Sequence, residues 1–174
     1  MDDQGGVVKV DMGTVTFQSD LIPVAGPRRE VVDELLQTDG ESFRVTCLSI
    51  GNPHCVIPLE NTSRELALRV GPLVENHRIF PNRINVQFLK VIDRGNIQIE
   101  IWERGAGYTL ASGSSSCAAA CAARRLGFVD EKVMVHMPGG VIDVGVAAVW
   151  ARSHDRAGIQ CSAGYVFAGV EGSV

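Results

Sequence analysis

Between Ser116 and Leu126 the chain runs Ser-Cys-Ala-Ala-Ala-Cys-Ala-Ala-Arg-Arg-Leu, with Gly127 next. Alanine is the strongest helix former, and a glycine just past the last turn is the usual stop. Ser114 or Ser115 can act as the cap. A helix made of small residues almost all round has no polar face to give to water, so it must be buried with other backbone packed close. The rest of the chain reads mainly as strands. Ile97, Ile99 and Ile101 alternate with Gln98, Glu100 and Trp102, the period of a half-buried strand. Residues 7–10, 15–17, 43–50, 55–57, 84–92, 132–136, 141–150 and 159–167 are also strand-like. The fold class is therefore α+β: mostly antiparallel β-structure wrapped around one central helix.

The punctuation fits that frame. Asp11-Met12-Gly13 reads as a turn, 23–27 as a loop, Asp93-Arg94-Gly95-Asn96 as a hairpin turn and Pro138-Gly139-Gly140 as a second hairpin. Residues 29–36 fit a helical turn or a polar edge. Thr62 or Ser63 can cap a helix from Arg64, which Gly71-Pro72 should break, with a restart at Pro72. The stretch 76–82 reads as an ordered loop. A length of 174 residues gives one domain, 1–174, or one lobe of a two-lobed protein.

Composition removes several functions. Net charge is −4, too little positive charge for a general nucleic-acid binder. No apolar run reaches the roughly 18 residues of a membrane span, and the start is wrong for a signal peptide, so a cytoplasmic protein is expected. The five cysteines include no Cys-x-x-Cys pair, so neither a disulfide framework nor a metal site is expected. Cys117 and Cys121 share a helix face and read as small buried hydrophobes.

Three segments carry more polarity than a core needs: 51–54 (Gly-Asn-Pro-His), 75–86 (Glu-Asn-His-Arg-Ile-Phe-Pro-Asn-Arg-Ile-Asn-Val) and 103–114 (Glu-Arg-Gly-Ala-Gly-Tyr-Thr-Leu-Ala-Ser-Gly-Ser). In the third, small residues open a helix, so Ser112, Gly113 and Ser114 can offer free amides and a positive dipole end to a carboxylate or phosphate. An ordinary serine-capped helix fits them equally well. Glu103 can serve as a base and Arg104 as a bidentate carboxylate clamp, or the two can form a strand-end ion pair. His54 is either a proton shuttle or a hydrogen-bonded structural residue. Asn52 and Asn85 can bind substrate or satisfy loop backbone.

In combination, Gly-Asn-Pro-His-Cys-Val at 51–56, the 75–86 segment and Glu-Arg-Gly-Ala-Gly at 103–107 resemble the diaminopimelate epimerase family, in its order. Val10-Asp11-Met12-Gly13 and Tyr165-Val166-Phe167-Ala168-Gly169 are similar too. The resemblance covers the C-terminal half of the family's protein. It implies a lobe of β-structure around a helix, an active site in a cleft between two lobes, and α-carbon inversion of diaminopimelate without a cofactor. It implies that Asn52, Asn85 and Arg104 hold the substrate's distal amino-acid end and that Glu103 and His54 assist proton transfer. The 112–114 turn would offer amides to the reacting carboxylate.

Two departures matter. The family's catalytic cysteine has Ser112 in its place, and its other cysteine belongs to a lobe outside this sequence. In addition, Tyr108 stands where glutamate is usual. An alcohol titrates several units above a thiol; a gap of roughly 5 units is about 7 kcal/mol, more than a nearby base and a helix dipole offset. Ser112 is thus a poor acid–base residue. The chain alone is expected to be inactive, its missing lobe supplied by a longer parent chain, a separate subunit or a second copy. A homodimer would present two Ser112 residues and no catalytic thiol. The alternatives are a non-catalytic relative binding an amino acid or a partner protein, and an epimerase or racemase for another amino acid.

Overall fold

The computed structural model describes residues 8–150 and 157–165. Ten strands and two helices follow in the order β1 (Val8–Val15), β2 (Glu34–Thr38), β3 (Glu41–Ser49), β4 (Pro53–Pro58), α1 (Arg64–Glu75), β5 (Asn85–Asp93), β6 (Asn96–Glu103), β7 (Gly107–Thr109), α2 (Gly113–Arg125), β8 (Lys132–Met137), β9 (Gly140–Trp150) and β10 (Ala157–Tyr165). They form one sheet ordered β1-β10-β9-β8-β6-β5-β4-β3-β2, with β7 paired to β6. Among the described residues, only the β4–β5 and β6–β8 pairings are parallel. Mostly antiparallel β-structure is therefore what the chain builds.

The sheet curls around α2, which touches its strands from β3 across to the edge strand β1. Every residue from Ser115 to Ala123 is buried, including Cys117 and Cys121, as the small-residue run requires. One sheet face gives Val56, Leu89, Ile97, Ile99 and Ile101 to the core around α2. The other face gives Cys55, Ile57, Val86 and Phe88 to a second core under α1. Alternate residues thus serve opposite layers. Each buried isoleucine of β6 contributes about 1.5–3 kcal/mol.

Several boundaries differ from expectation. The cap of α2 is Ser112, two or three residues earlier than Ser114 or Ser115, because its extended backbone lets Oγ accept from Ser115 N. Helix α1 does not break at Gly71-Pro72. It runs through, because Gly71 lies flat on Trp102, where a Cβ would come 2.5 Å from the indole. Packing there outweighs the hydrogen bond that the proline removes. Asp11-Met12-Gly13 is a bulge inside β1, with Gly13 at φ +81°, and not a turn. Residues 34–38 are extended and pair with β3. The short strand β7 lies in what the sequence presents as loop. Residues 166–169, part of the C-terminal resemblance, lie outside the described residues. No helix among the described residues is long and apolar enough to cross a membrane.

Candidate functional site

Topology gathers the polar segments at one end of the sheet. β4 and β5 are parallel, so they begin together, and His54 sits in register with Asn85. β6 runs antiparallel to β5, so its C-terminal end, Trp102-Glu103, returns beside Val86. Gln87, two residues into β5, donates from Nε2 to Ser115 Oγ at 3.0 Å and so sets the first turn of α2 over the same end. Asn52, His54, Asn85, Glu103, Arg104 and Ser112–Ser114 therefore belong to one neighbourhood.

His54 and Asn85 form its buried floor. His54 Nε2 lies 3.0 Å from Asn52 Oδ1. Burial is the main reason its pKa falls to about 3, and the positive charge of Arg104 adds to it; the contact with Gln87 pulls the other way. The imidazole is therefore neutral near pH 7. His54 Nδ1 and Gln87 Oε1 make no well-formed hydrogen bond to any described residue. Asn85 is used by the backbone on both sides: Nδ2 donates to the Pro53 carbonyl at 2.8 Å, and Oδ1 accepts from Arg104 N at 2.9 Å. It ties the β3–β4 turn to the end of β6.

The rim is half-buried to exposed. Glu103 Oε2 accepts from Thr109 Oγ1 at 3.3 Å, and Arg104 Nη1 donates to the Asn82 carbonyl at 3.1 Å. The two side chains thus engage separate partners. At the helix mouth, Ser112 Oγ accepts from Ser115 N at 3.4 Å and lies 3.3 Å from Ser114 Oγ. Ser116 N takes the Ser112 carbonyl, so Gly113 and Ser114 are the first-turn amides without an intrahelical acceptor. The mouth is braced from behind: Gly139 N donates to the Leu110 carbonyl at 2.8 Å, and Ser116 Oγ donates to Met137 Sδ.

Tyr108 points to the other face of β6. Its hydroxyl donates to Glu100 Oε2 at 2.6 Å and Arg64 lies over its ring. Burial, then Glu100, raises its pKa to about 12. Three further polar residues bear on the site: Gln87, which no sequence motif marks; Ser115, read from sequence only as a cap; and Glu75, read only as the first residue of the 75–86 segment. Gln87 could have been noticed as a lone amide between Val86 and Phe88 in an apolar strand. Glu75 closes α1 and receives Trp102 Nε1, Gly105 N and Arg83 Nη1. The two described cavities, of about 500 and 600 Å³, lie elsewhere, lined by residues such as Asp11, Lys132, Gly145 and Arg124.

The diaminopimelate epimerase family model matches residues 46–155, which hold all three polar segments. The chain belongs to the diaminopimelate epimerase family. It is 56% identical over 140 residues to diaminopimelate epimerase 2 of Nostoc sp., covering 80% of this chain and 49% of that protein. It is 39% identical over 168 residues to the enzyme of Desulfitobacterium hafniense, covering 97% and 58%. The chain thus spans about half the length of the curated relatives it matches. Among solved structures, a hydroxyproline epimerase from Agrobacterium vitis superposes with a TM-score of 0.62 at 13% identity, over 92% of this chain and 50% of that one. That likeness is one of fold.

Proposed function

We propose that residues 1–174 form one domain that is half of a diaminopimelate epimerase active site. It binds the amino-acid substrate at the N-terminus of α2 and needs a second lobe for catalysis. What supports this reading is that the three polar segments meet near the N-terminus of α2, whose Gly113 and Ser114 amides have no intrahelical acceptor. A carboxylate supplies the acceptors such amides lack. Arg104, exposed at the rim, clamps the carboxylate of the distal end beside Asn52 and Asn85. His54, held neutral, can donate or accept a hydrogen bond but not serve as a standing cation. Glu103, half-buried at the rim, is the candidate base.

Inversion at an α-carbon needs one group to take the proton and another, on the opposite face, to return one. This lobe offers Ser112 for one of these roles, and its hydroxyl is already engaged as the cap of α2. The second group belongs to the other lobe, on the same polypeptide, a separate subunit or a second copy. A cytoplasmic enzyme of lysine biosynthesis is the setting that fits the family.

The test has two arms. Proton–deuterium exchange at the α-carbon of diaminopimelate in D₂O should be absent with the chain alone; fast exchange refutes the need for a second lobe. Calorimetry should show binding of diaminopimelate by the chain and by Ser112→Cys. The engagement of Ser112 as a cap favours one second reading, a binding or partner module without catalysis. Absence of binding, or preferential binding of proline or histidine, would replace the first reading.

A further inference from the structure

Glu75 ends α1 with a carboxylate that is 5% exposed. Three donors from two segments converge on it: Arg83 Nη1 at 3.2 Å from the turn before β5, and Trp102 Nε1 at 2.7 Å and Gly105 N at 2.9 Å from the end of β6. A carboxylate only accepts, so it suits a place where every neighbour donates; an amide would turn an N–H toward one of them. Two of the three donors lie next to the contacts of a single residue, Arg104.

We propose that Glu75 is a positioning residue that fixes the Arg104 guanidinium for the substrate's distal carboxylate, a role that rests on the reading of the site given above. It acts through two arms. In the first, Glu75 holds Gly105 N while Asn85 Oδ1 holds Arg104 N, so consecutive amides are pinned from opposite sides. In the second, Glu75 holds the side chain of Arg83, whose backbone sits at φ +59°. A non-glycine residue keeps that conformation only where its surroundings impose it. The turn so held presents the Asn82 carbonyl to Arg104 Nη1. One edge of the guanidinium is thereby committed to protein, and the rest of the fork remains for a ligand. Glu75 is buried, and its effect passes through Arg104.

A buttress that merely stabilises α1 against β6 would affect stability alone, whereas a positioning residue couples to Arg104. Amide exchange of the full chain, followed by NMR, reads the anchoring directly. In Glu75→Gln the Gly105 amide should exchange at least about tenfold faster, while residues 117–123 of α2 keep their protection. Calorimetry with meso-diaminopimelate on wild type, Glu75→Gln, Arg104→Gln and the double variant reads the coupling. Arg104→Gln should weaken binding about tenfold or more in the wild-type background and less than about twofold in the Glu75→Gln background. Arg83→Gln, whose side chain is 55% exposed, releases the second arm without disturbing Trp102 and should show the same non-additivity, and it carries the comparison if Glu75→Gln does not fold. Additive losses, or an unchanged Gly105 amide in Glu75→Gln, overturn the proposal. If the wild-type chain binds no diaminopimelate, the functional reading fails on its own account. The Gly105 amide then decides the anchoring: faster exchange upholds it and unchanged exchange overturns it.

Discussion

Acid should unfold this protein through one histidine. His54 is fully buried and its pKa stands at about 3, against an ordinary value of 6.5. The folded state thus refuses a proton that the unfolded chain accepts, and stability falls as pH drops below 6.5. The two values give a loss of about 2 kcal/mol between pH 7 and pH 5, growing to about 3 kcal/mol at pH 4. The window from 7 to 5 isolates the effect. The carboxylates with shifted pKa values, such as Asp33, Glu41, Asp93 and Asp130, are lowered from ordinary values of 3.8–4.5 by arginine or amide partners, so their losses come at more acid pH. Urea unfolding at fixed pH measures the free energy, and His54→Gln supplies the comparison, since it keeps a neutral polar side chain on Asn52. The wild-type curve should fall by about 2 kcal/mol more than the variant's between pH 7 and pH 5. Parallel curves would refute the argument that His54 is held neutral by burial.

Gly71→Ala should destabilise by about 1–3 kcal/mol, seen as a lower Tm, because its Cβ would sit 2.5 Å from the Trp102 ring. Ser112→Cys should cost up to about 1 kcal/mol, since a thiol caps a helix less well than a hydroxyl. The same variant should react with iodoacetamide faster than an ordinary thiol, because helix N-termini lower a cysteine's pKa. Gln87→Leu should cost about 1–3 kcal/mol in chemical denaturation, because Ser115 Oγ, at a fully buried residue, loses its donor.

The layer plan was legible because it rests on periodicity and residue size. The isoleucines of β6 and the alanines of α2 can be buried in few other ways. The gathering of Asn52, His54, Asn85 and Arg104 was legible only through the motifs, since strand order is not written in local pattern. Where local rules failed, tertiary contact explains it. The break expected at Pro72 vanished because Gly71 packs on a tryptophan 31 positions later. The α2 cap moved to Ser112 because any of several serines can cap, and the bond from Gln87 holds Ser115 inside the helix. The role of Glu75 was passed over because a glutamate at a helix end usually faces water; nothing local says that Trp102, Arg83 and Gly105 will all aim at it.

Chemical-shift mapping on the isotope-labelled chain during titration with meso-diaminopimelate asks most directly whether the mouth of α2 is where this protein meets its ligand. The largest changes should fall on the amides of Gly113, Ser114, Arg104 and Gly105, with the ring signals of His54 following. Changes gathered instead around Lys132 and Gly145, at the cavity away from the mouth, would contradict it.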